Sequence, residues 1–134
     1  MAQSLPKSPL APTRFPDLPV VKGVRFSSVA AGVKYQGRTD VMLAQMDPGT
    51  TVAGVFTRSS TRSAPERDCQ EKLGNDSRNG AAILGNSGNS NASTGYIGQT
   101  SVAEITAAVA DVAGQPETRV SPAYPRSNGA TRTT

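Results

Sequence analysis

The residues with the most chemical potential form one short run, Asn86-Ser87-Gly88-Asn89-Ser90-Asn91-Ala92-Ser93-Thr94-Gly95. Glycine accepts positive φ without a Cβ penalty, and asparagine tolerates it. A loop of this composition can therefore turn successive backbone N–H groups toward an anion or a developing oxyanion. The same residues also describe a strand-to-helix connection whose asparagine side chains bond nearby backbone, and spacing alone favours that simpler account. The candidate positions on the binding reading are Asn86, Gly88, Asn89 and Asn91. No Gly-Lys-Ser/Thr ending follows, so the run is not a phosphate loop.

The rest of the chain offers little that could turn over a substrate. There is no histidine, which removes the commonest general base and a principal metal ligand. The one cysteine, Cys69, lacks that activating partner and reads as an inert structural thiol. It also excludes an internal disulfide framework, which fits a reducing, cytoplasmic setting. Arg67, Asp68 and Glu71 fall three and four apart on a short helix and read as a solvated charged face. Serine and threonine are plentiful, but none sits in a nucleophile-elbow context. No catalytic residue, metal site or resident cofactor is therefore assigned, and the substrate-binding residues remain unknown.

Charge and composition narrow the partners. The chain has 14 basic and 10 acidic residues, and the basic excess sits in its first part and in a short tail. Residues 1–38 hold six basic groups and only Asp17 as an acid, whereas residues 39–114 hold five basic and eight acidic groups. No Lys/Arg run results, so nucleic acid is not the expected partner. No apolar run reaches the roughly 18 residues of a membrane span, so no membrane role is expected. With 36% hydrophobic and 4% aromatic residues, the core is thinly supplied, and such a chain tends to need a partner.

These residues must be positioned by a mixed α/β (α+β) framework: an antiparallel-rich sheet with packed helices. Residues 1–23 hold Pro6, Pro9, Pro12, Pro16 and Pro19, which forbid a helix and give an extended arm. Its apolar residues, among them Leu5, Leu10, Phe15 and Leu18, imply that it lies against a surface; an SH3-type ligand is the less economical use of it. Strands are expected from Val24, around Val33–Tyr35, over Asp40–Met46 and over Thr51–Thr57, with a turn at Asp47-Pro48-Gly49. Ser63-Ala64-Pro65-Glu66 fits a helix capping box, and that helix should stop near Leu73-Gly74. Ala81–Leu84 reads as a buried strand. Ser101-Val102-Ala103-Glu104 is a second capping box, opening a helix that ends at Gly114 and presents Val102, Ile105, Val109 and Val112. The order is β-β-β-β-α-β-α, the ordered portion runs from 24 to 120, and residues 121–134 read as a divergent, disordered tail.

Several segments match a known pattern when taken in order. They are Ser8-Pro9-Leu10-Ala11-Pro12, Val24-Arg25-Phe26, Ala30-Ala31-Gly32-Val33-Lys34-Tyr35 and Gly37-Arg38-Thr39-Asp40-Val41. Then come Gly49-Thr50-Thr51-Val52-Ala53-Gly54-Val55-Phe56-Thr57-Arg58-Ser59, Ser63-Ala64-Pro65 and Asn86-Ser87-Gly88-Asn89-Ser90-Asn91-Ala92. This order resembles the N-terminal part of the bifunctional ornithine acetyltransferase/glutamate N-acetyltransferase family of arginine biosynthesis, over about Ser8 to Val120. The resemblance implies a precursor that cuts itself at an Ala-Thr junction. The new N-terminal threonine of the second chain takes acetyl from N2-acetylornithine, or from acetyl-CoA, and passes it to glutamate. It implies a heterotetramer with that second chain, and an oxyanion turn of Ser-Thr-Gly-Val-Ile-Gly type in the first chain.

This sequence departs from that pattern in three places. The junction and all that follows it are absent. Ser121-Pro122-Ala123-Tyr124-Pro125-Arg126-Ser127 stands where the oxyanion turn is expected. Gly85 and Ser93 replace a β-branched and an aromatic residue, which should subtract apolar burial. No family catalytic residue maps onto a position here. The expectation is a truncated or frameshifted first chain, inactive alone and serving as scaffold for the missing second chain. The alternative is a small basic binding module that uses its arm and tail on an acidic partner.

Overall fold

The computed structural model describes residues 9–10, 13–14, 16–33, 36–74, 76, 78–88, 91 and 94–124. Its elements are β1 (Val24–Val29), β2 (Val41–Met46), α1 (Ala64–Lys72), β3 (Ala81–Asn86), α2 (Gly95–Ala113), a 3-10 turn (Glu117–Arg119) and β4 (Val120–Ala123). The strands form one sheet in the order β1-β2-β3-β4. β1 with β2 and β2 with β3 are antiparallel, whereas β4 joins β3 in parallel. A parallel neighbour requires a crossover, and α2 supplies it. The mixed α/β class and the antiparallel bias are as the sequence implies.

Directly paired residues share a face. Leu43↔Leu84 and Gln45↔Ala82, extended by Ala82↔Val120 and Leu84↔Pro122, define the face that receives the helices. Ala82, Val120 and Ala110 of α2 form the core, with Leu43 and Val109 against it, and Gln45 Nε2 donates to Ala113 O at 2.8 Å. The largest fully buried side chains are only Val102, Val120 and Thr106, and each buried valine contributes about 1.5–3 kcal/mol. The core is as thin as the composition requires.

α2 starts at Gly95 and not at Ser101, so the second capping box lies inside the helix and caps nothing. Gly98, with no side chain, lets α2 approach α1: a Cβ there would stand 3.3 Å from Ala64 Cβ. Close packing thus holds a turn whose residues are poor helix formers. The buried stripe is Gly98, Val102, Thr106 and Ala110, four residues apart each time. Of the expected stripe, Val102 is buried and Val109 packs against the core, whereas Ile105 and Val112 are 36% and 84% exposed. The helix ends as expected at Gly114, in the left-handed region, with the cap amides bonded to Ala110 O and Asp111 O.

Thr51–Thr57 is not a strand. β2 already has β1 on one side and β3 on the other, so no ladder position remains beside it. The segment is instead tied by side chains. Thr57 N donates to Glu66 Oε1 at 2.6 Å, and Arg119 Nη2 donates to Thr50 O at 2.6 Å. Glu66 is thereby diverted from the capping box, and Ser63 makes no side-chain cap bond. Arg119 is buried and also donates from Nε to Gly80 O at 2.9 Å. Gly80 is a second close approach, since a Cβ there would fall 2.1 Å from Met46 O.

β4 corrects the expectation of a disordered tail for Ser121–Ala123; residues 125–134 lie outside the described residues. Proline is tolerated at an edge strand where its missing N–H faces away from the ladder. Cys69 Sγ donates to Pro122 O at 3.3 Å, and Lys72 Nζ donates to Val120 O at 3.3 Å, so α1 covers that edge. Asp68 is likewise no part of a solvated face. Its side chain is 19% exposed, and its carboxylate pairs with Lys72 at 2.9 Å. Of the arm, Leu18 and Val20 are 81% and 95% exposed and cover nothing; Leu5 and Phe15 lie outside the described residues. The second expected strand is absent at Val33, and Lys34 and Tyr35 are also outside them.

Candidate functional site

The loop singled out in the sequence borders a cavity of about 340 Å³. Val33 comes to it from the β1–β2 connection, Val41 from the start of β2, and Leu84 and Asn86 from β3. Asn91, Thr94, Ile97, Gly98, Ser101 and Ile105 come from the loop and the first turns of α2, and Tyr124 from beyond β4. The walls are mainly apolar, with Asn86, Asn91, Thr94 and Ser101 as hydrogen-bonding groups, a composition suited to a small organic ligand.

Of the four candidate positions, Asn86 ends β3 half-buried and lines the cavity. Asn91 lines it too, is buried, and takes φ 47° as its type permits. Gly88 is buried nearby in the chain with φ 149°. Asn89 lies outside the described residues. The Asn91 carbonyl is a joint between helices: it accepts from Ala64 N of α1 at 3.3 Å and from Thr94 Oγ1 at 2.9 Å. The loop thus serves as a held connection and as a cavity wall at once.

Sequence reasoning missed two groups. Asp40, read only as the start of a strand, is 4% exposed. Its carboxylate accepts from Ala31 N at 2.6 Å and Val33 N at 2.5 Å, and from the amide of Gly32. Burial alone would raise its pKa, but these backbone N–H groups outweigh it and hold the carboxyl below its ordinary value. An aspartate placed after a short glycine-containing turn is the signal that could have revealed it. The other is Tyr124. Its hydroxyl is buried without a hydrogen-bond partner, and burial, with the Asp68 and Cys69 charges, pushes it up to about 12. It therefore stays protonated near neutrality, as a donor.

Among the described residues the cavity's lining carries no charged side chain. It can bind and orient a ligand, but it holds no base for abstracting a proton. Cys69 cannot compensate: burial, then the Asp68 charge, pushes its thiol upward, away from the reactive thiolate. Among the described residues no group of three His, Cys, Asp or Glu could hold a metal ion, and no helix is long and apolar enough to cross a membrane. Gly85 leaves no void, because Met42 Cγ lies 2.9 Å from where its Cβ would be.

Comparison with known proteins agrees with the fold and extends it. The sequence model of the ArgJ family matches residues 25–127, and so includes residues 121–127. The arginine biosynthesis bifunctional protein ArgJ of Ruegeria pomeroyi is 69% identical over 120 residues, covering 90% of this chain and 29% of that protein. Its counterpart from Nitrobacter winogradskyi is 53% identical over 105 residues, covering 77% of this chain and 25% of that protein. The chain therefore spans between a quarter and a third of the length of these relatives.

Among solved structures, the ArgJ protein of Bacillus halodurans superposes with a TM-score of 0.69 at 27% identity, covering 77% of this chain and 53% of that one. The ornithine acetyltransferase of Mycobacterium tuberculosis, solved in complex with ornithine, gives 0.67 at 32% identity, covering 81% and 58%. From the family match across most of its length and these identities, we conclude that the chain belongs to the ArgJ family.

Proposed function

We propose that this chain is part of the first chain of a glutamate N-acetyltransferase/ornithine acetyltransferase and contributes scaffold and one wall of its ligand pocket. The observation that carries this is the cavity bounded by Asn86, Asn91 and Thr94, in a fold that superposes on an ornithine acetyltransferase complexed with ornithine. The complete enzyme would move acetyl from N2-acetylornithine, or from acetyl-CoA, to glutamate in the cytoplasm. A threonine nucleophile at the start of a second chain would carry that group. Among the described residues the cavity has no nucleophile–base pair, so we expect the chain to be inactive alone.

The need for a second chain is supported by the apolar side chains left uncovered: Phe26 is 72% exposed and Val55 99%.

The test has two arms. Acetyl transfer from N2-acetylornithine to glutamate should be absent with the purified chain, and turnover would refute its inactivity. Titration of ornithine into the labelled chain should shift the amide signals of Asn86, Asn91 and Thr94. If shifts appear only elsewhere, or not at all, the cavity is not the ligand site.

A further inference from the structure

The cavity draws its wall residues from separate segments, and one residue is bonded to two of them. Val33 belongs to the turn after β1, and Asn86 ends β3, next to the turn at Ser87. Asp40 lies just before β2 and reaches both. Its carboxylate collects the N–H groups of Ala31 and Val33 at 2.6 and 2.5 Å, together with that of Gly32. Its own amide donates to Val29 O at 3.2 Å, and its carbonyl accepts from Ser87 N at 2.7 Å. Every one of these partners is backbone. They fix main chain, and with it the Cα positions from which Val33 and Asn86 project.

We infer that Asp40 is a positioning residue of this pocket, holding the Ala31–Val33 turn through its carboxylate and the turn at Ser87 through its carbonyl, so that the two walls keep one spacing. Three N–H groups on one carboxylate form a nest around a built-in anion. Charge-assisted bonds of this kind are the stronger class, and their burial makes a lost partner costly. The two tethers leave from opposite parts of one residue. Releasing the carboxylate therefore frees the residue that anchors Ser87, and the second wall loosens with the first. Val41, next in sequence, lines the cavity as well, so its placement depends on the same residue. The inference rests on reading the cavity as the ligand site only for its functional consequence, not for the coupling itself.

Native-state amide exchange on the full chain tests the coupling. In the unsubstituted protein, the Ala31, Gly32, Val33 and Ser87 amides should exchange through one shared opening, with a common denaturant dependence distinct from that of Ala82. In Asp40→Asn, which keeps the shape but loses the charge and one acceptor, those four amides should exchange about tenfold faster while Ala82 is unchanged. Asp40→Glu, which restores the charge, should recover part of the protection. Acceleration confined to residues 31–33, with Ser87 unaffected, would overturn the coupling. So would unrelated openings for the two turns in the unsubstituted protein, a result that needs no variant to fold.

Ornithine titration supplies the functional arm. Weakening by about tenfold in Asp40→Asn, for an unchanged core, is the expected result; equal affinity in both proteins would refute a positioning role. If the unsubstituted chain does not bind ornithine, the ligand-site reading fails by itself, and the exchange data alone then decide the coupling.

Discussion

Replacing Gly98 with alanine tests how the helices and the loop are joined. Two effects oppose one another. In a helix interior alanine is favoured over glycine by about 1 kcal/mol. Against this, the new Cβ would stand 1.9 Å from Thr94 Oγ1, 3.0 Å from Thr94 Cβ and 3.3 Å from Ala64 Cβ. The hydroxyl must rotate away, which sacrifices its bond to Asn91 O, a loss of about 1 kcal/mol. The remaining overlap adds about 1–3 kcal/mol. The losses win, and Gly98→Ala should destabilise by about 1–3 kcal/mol.

Much of that loss falls on one hydroxyl, so a double-mutant cycle isolates it. Thr94→Ala alone should cost about 1 kcal/mol. In that background the hydroxyl clash is gone, the two tighter carbon contacts remain, and the helix-propensity gain roughly offsets them. Gly98→Ala should then be close to neutral, which leaves a coupling of about 1 kcal/mol or more between the sites. Urea unfolding followed by circular dichroism, with unchanged m-values, reads all four corners. Equal costs of Gly98→Ala in both backgrounds would show that the barrier to a side chain lies against Ala64, and the account of the Thr94–Asn91 joint would be wrong.

Gly80→Ala should be the more damaging glycine change, because the atom 2.1 Å from its Cβ is the Met46 carbonyl of the sheet. Backbone displacement there also strains the Arg119–Gly80 bond. A loss of about 3–5 kcal/mol in urea unfolding is expected, and a loss below 1 would refute it. Because the Asp40 carboxyl sits below its ordinary value in the fold, its contribution is fully present above 3.8 and is lost as pH falls through the lower folded value. Asp40→Asn should accordingly flatten the acid limb of stability against pH, and an unaltered limb would refute the assignment. Cys69, pushed upward by burial and by Asp68, should react with a thiol reagent at neutral pH about tenfold more slowly in the folded chain than in urea; equal rates would contradict its placement against β4.

What the sequence disclosed follows from where local chemistry decides structure. The helix stop at Gly114, the α1 span and the strand at Ala81 each depend on residues adjacent in sequence, and all three stand in the fold. Thr51–Thr57 has strong β-formers and still forms no strand, because sheet order is settled by distant partners. The α2 stripe is legible at Val102 and Val109 but not at Ile105 and Val112, for a related reason. Large apolar residues mark a face only when the core is deep, whereas here Gly98 and Ala110 pack closest and Val112 faces outward. The site was half legible. Asn86 and Asn91 announce themselves by composition, but Asp40 acts through backbone seven to nine residues away, and Tyr124 comes to the cavity only through the pairing of β4. β4 itself was hidden by Pro122, which reads as a breaker unless its edge position is known.

The parallel pairing of β4 also sets a timetable. Val120, one of the largest buried side chains, lies about forty residues after its partner Ala82, so the last stave of the sheet is also the last to be synthesised. A ribosome adds about 5–20 residues per second. For about 2–8 seconds after β3 has been made, its outer edge and the apolar surface around Ala82 await a strand that does not yet exist. Non-local strand pairing is slow in any case, and an open edge invites pairing with another chain. The nascent polypeptide is therefore most prone to self-association in the interval between Asn86 and Ala123, and α2, which forms from local contacts, is what shelters the face during that interval.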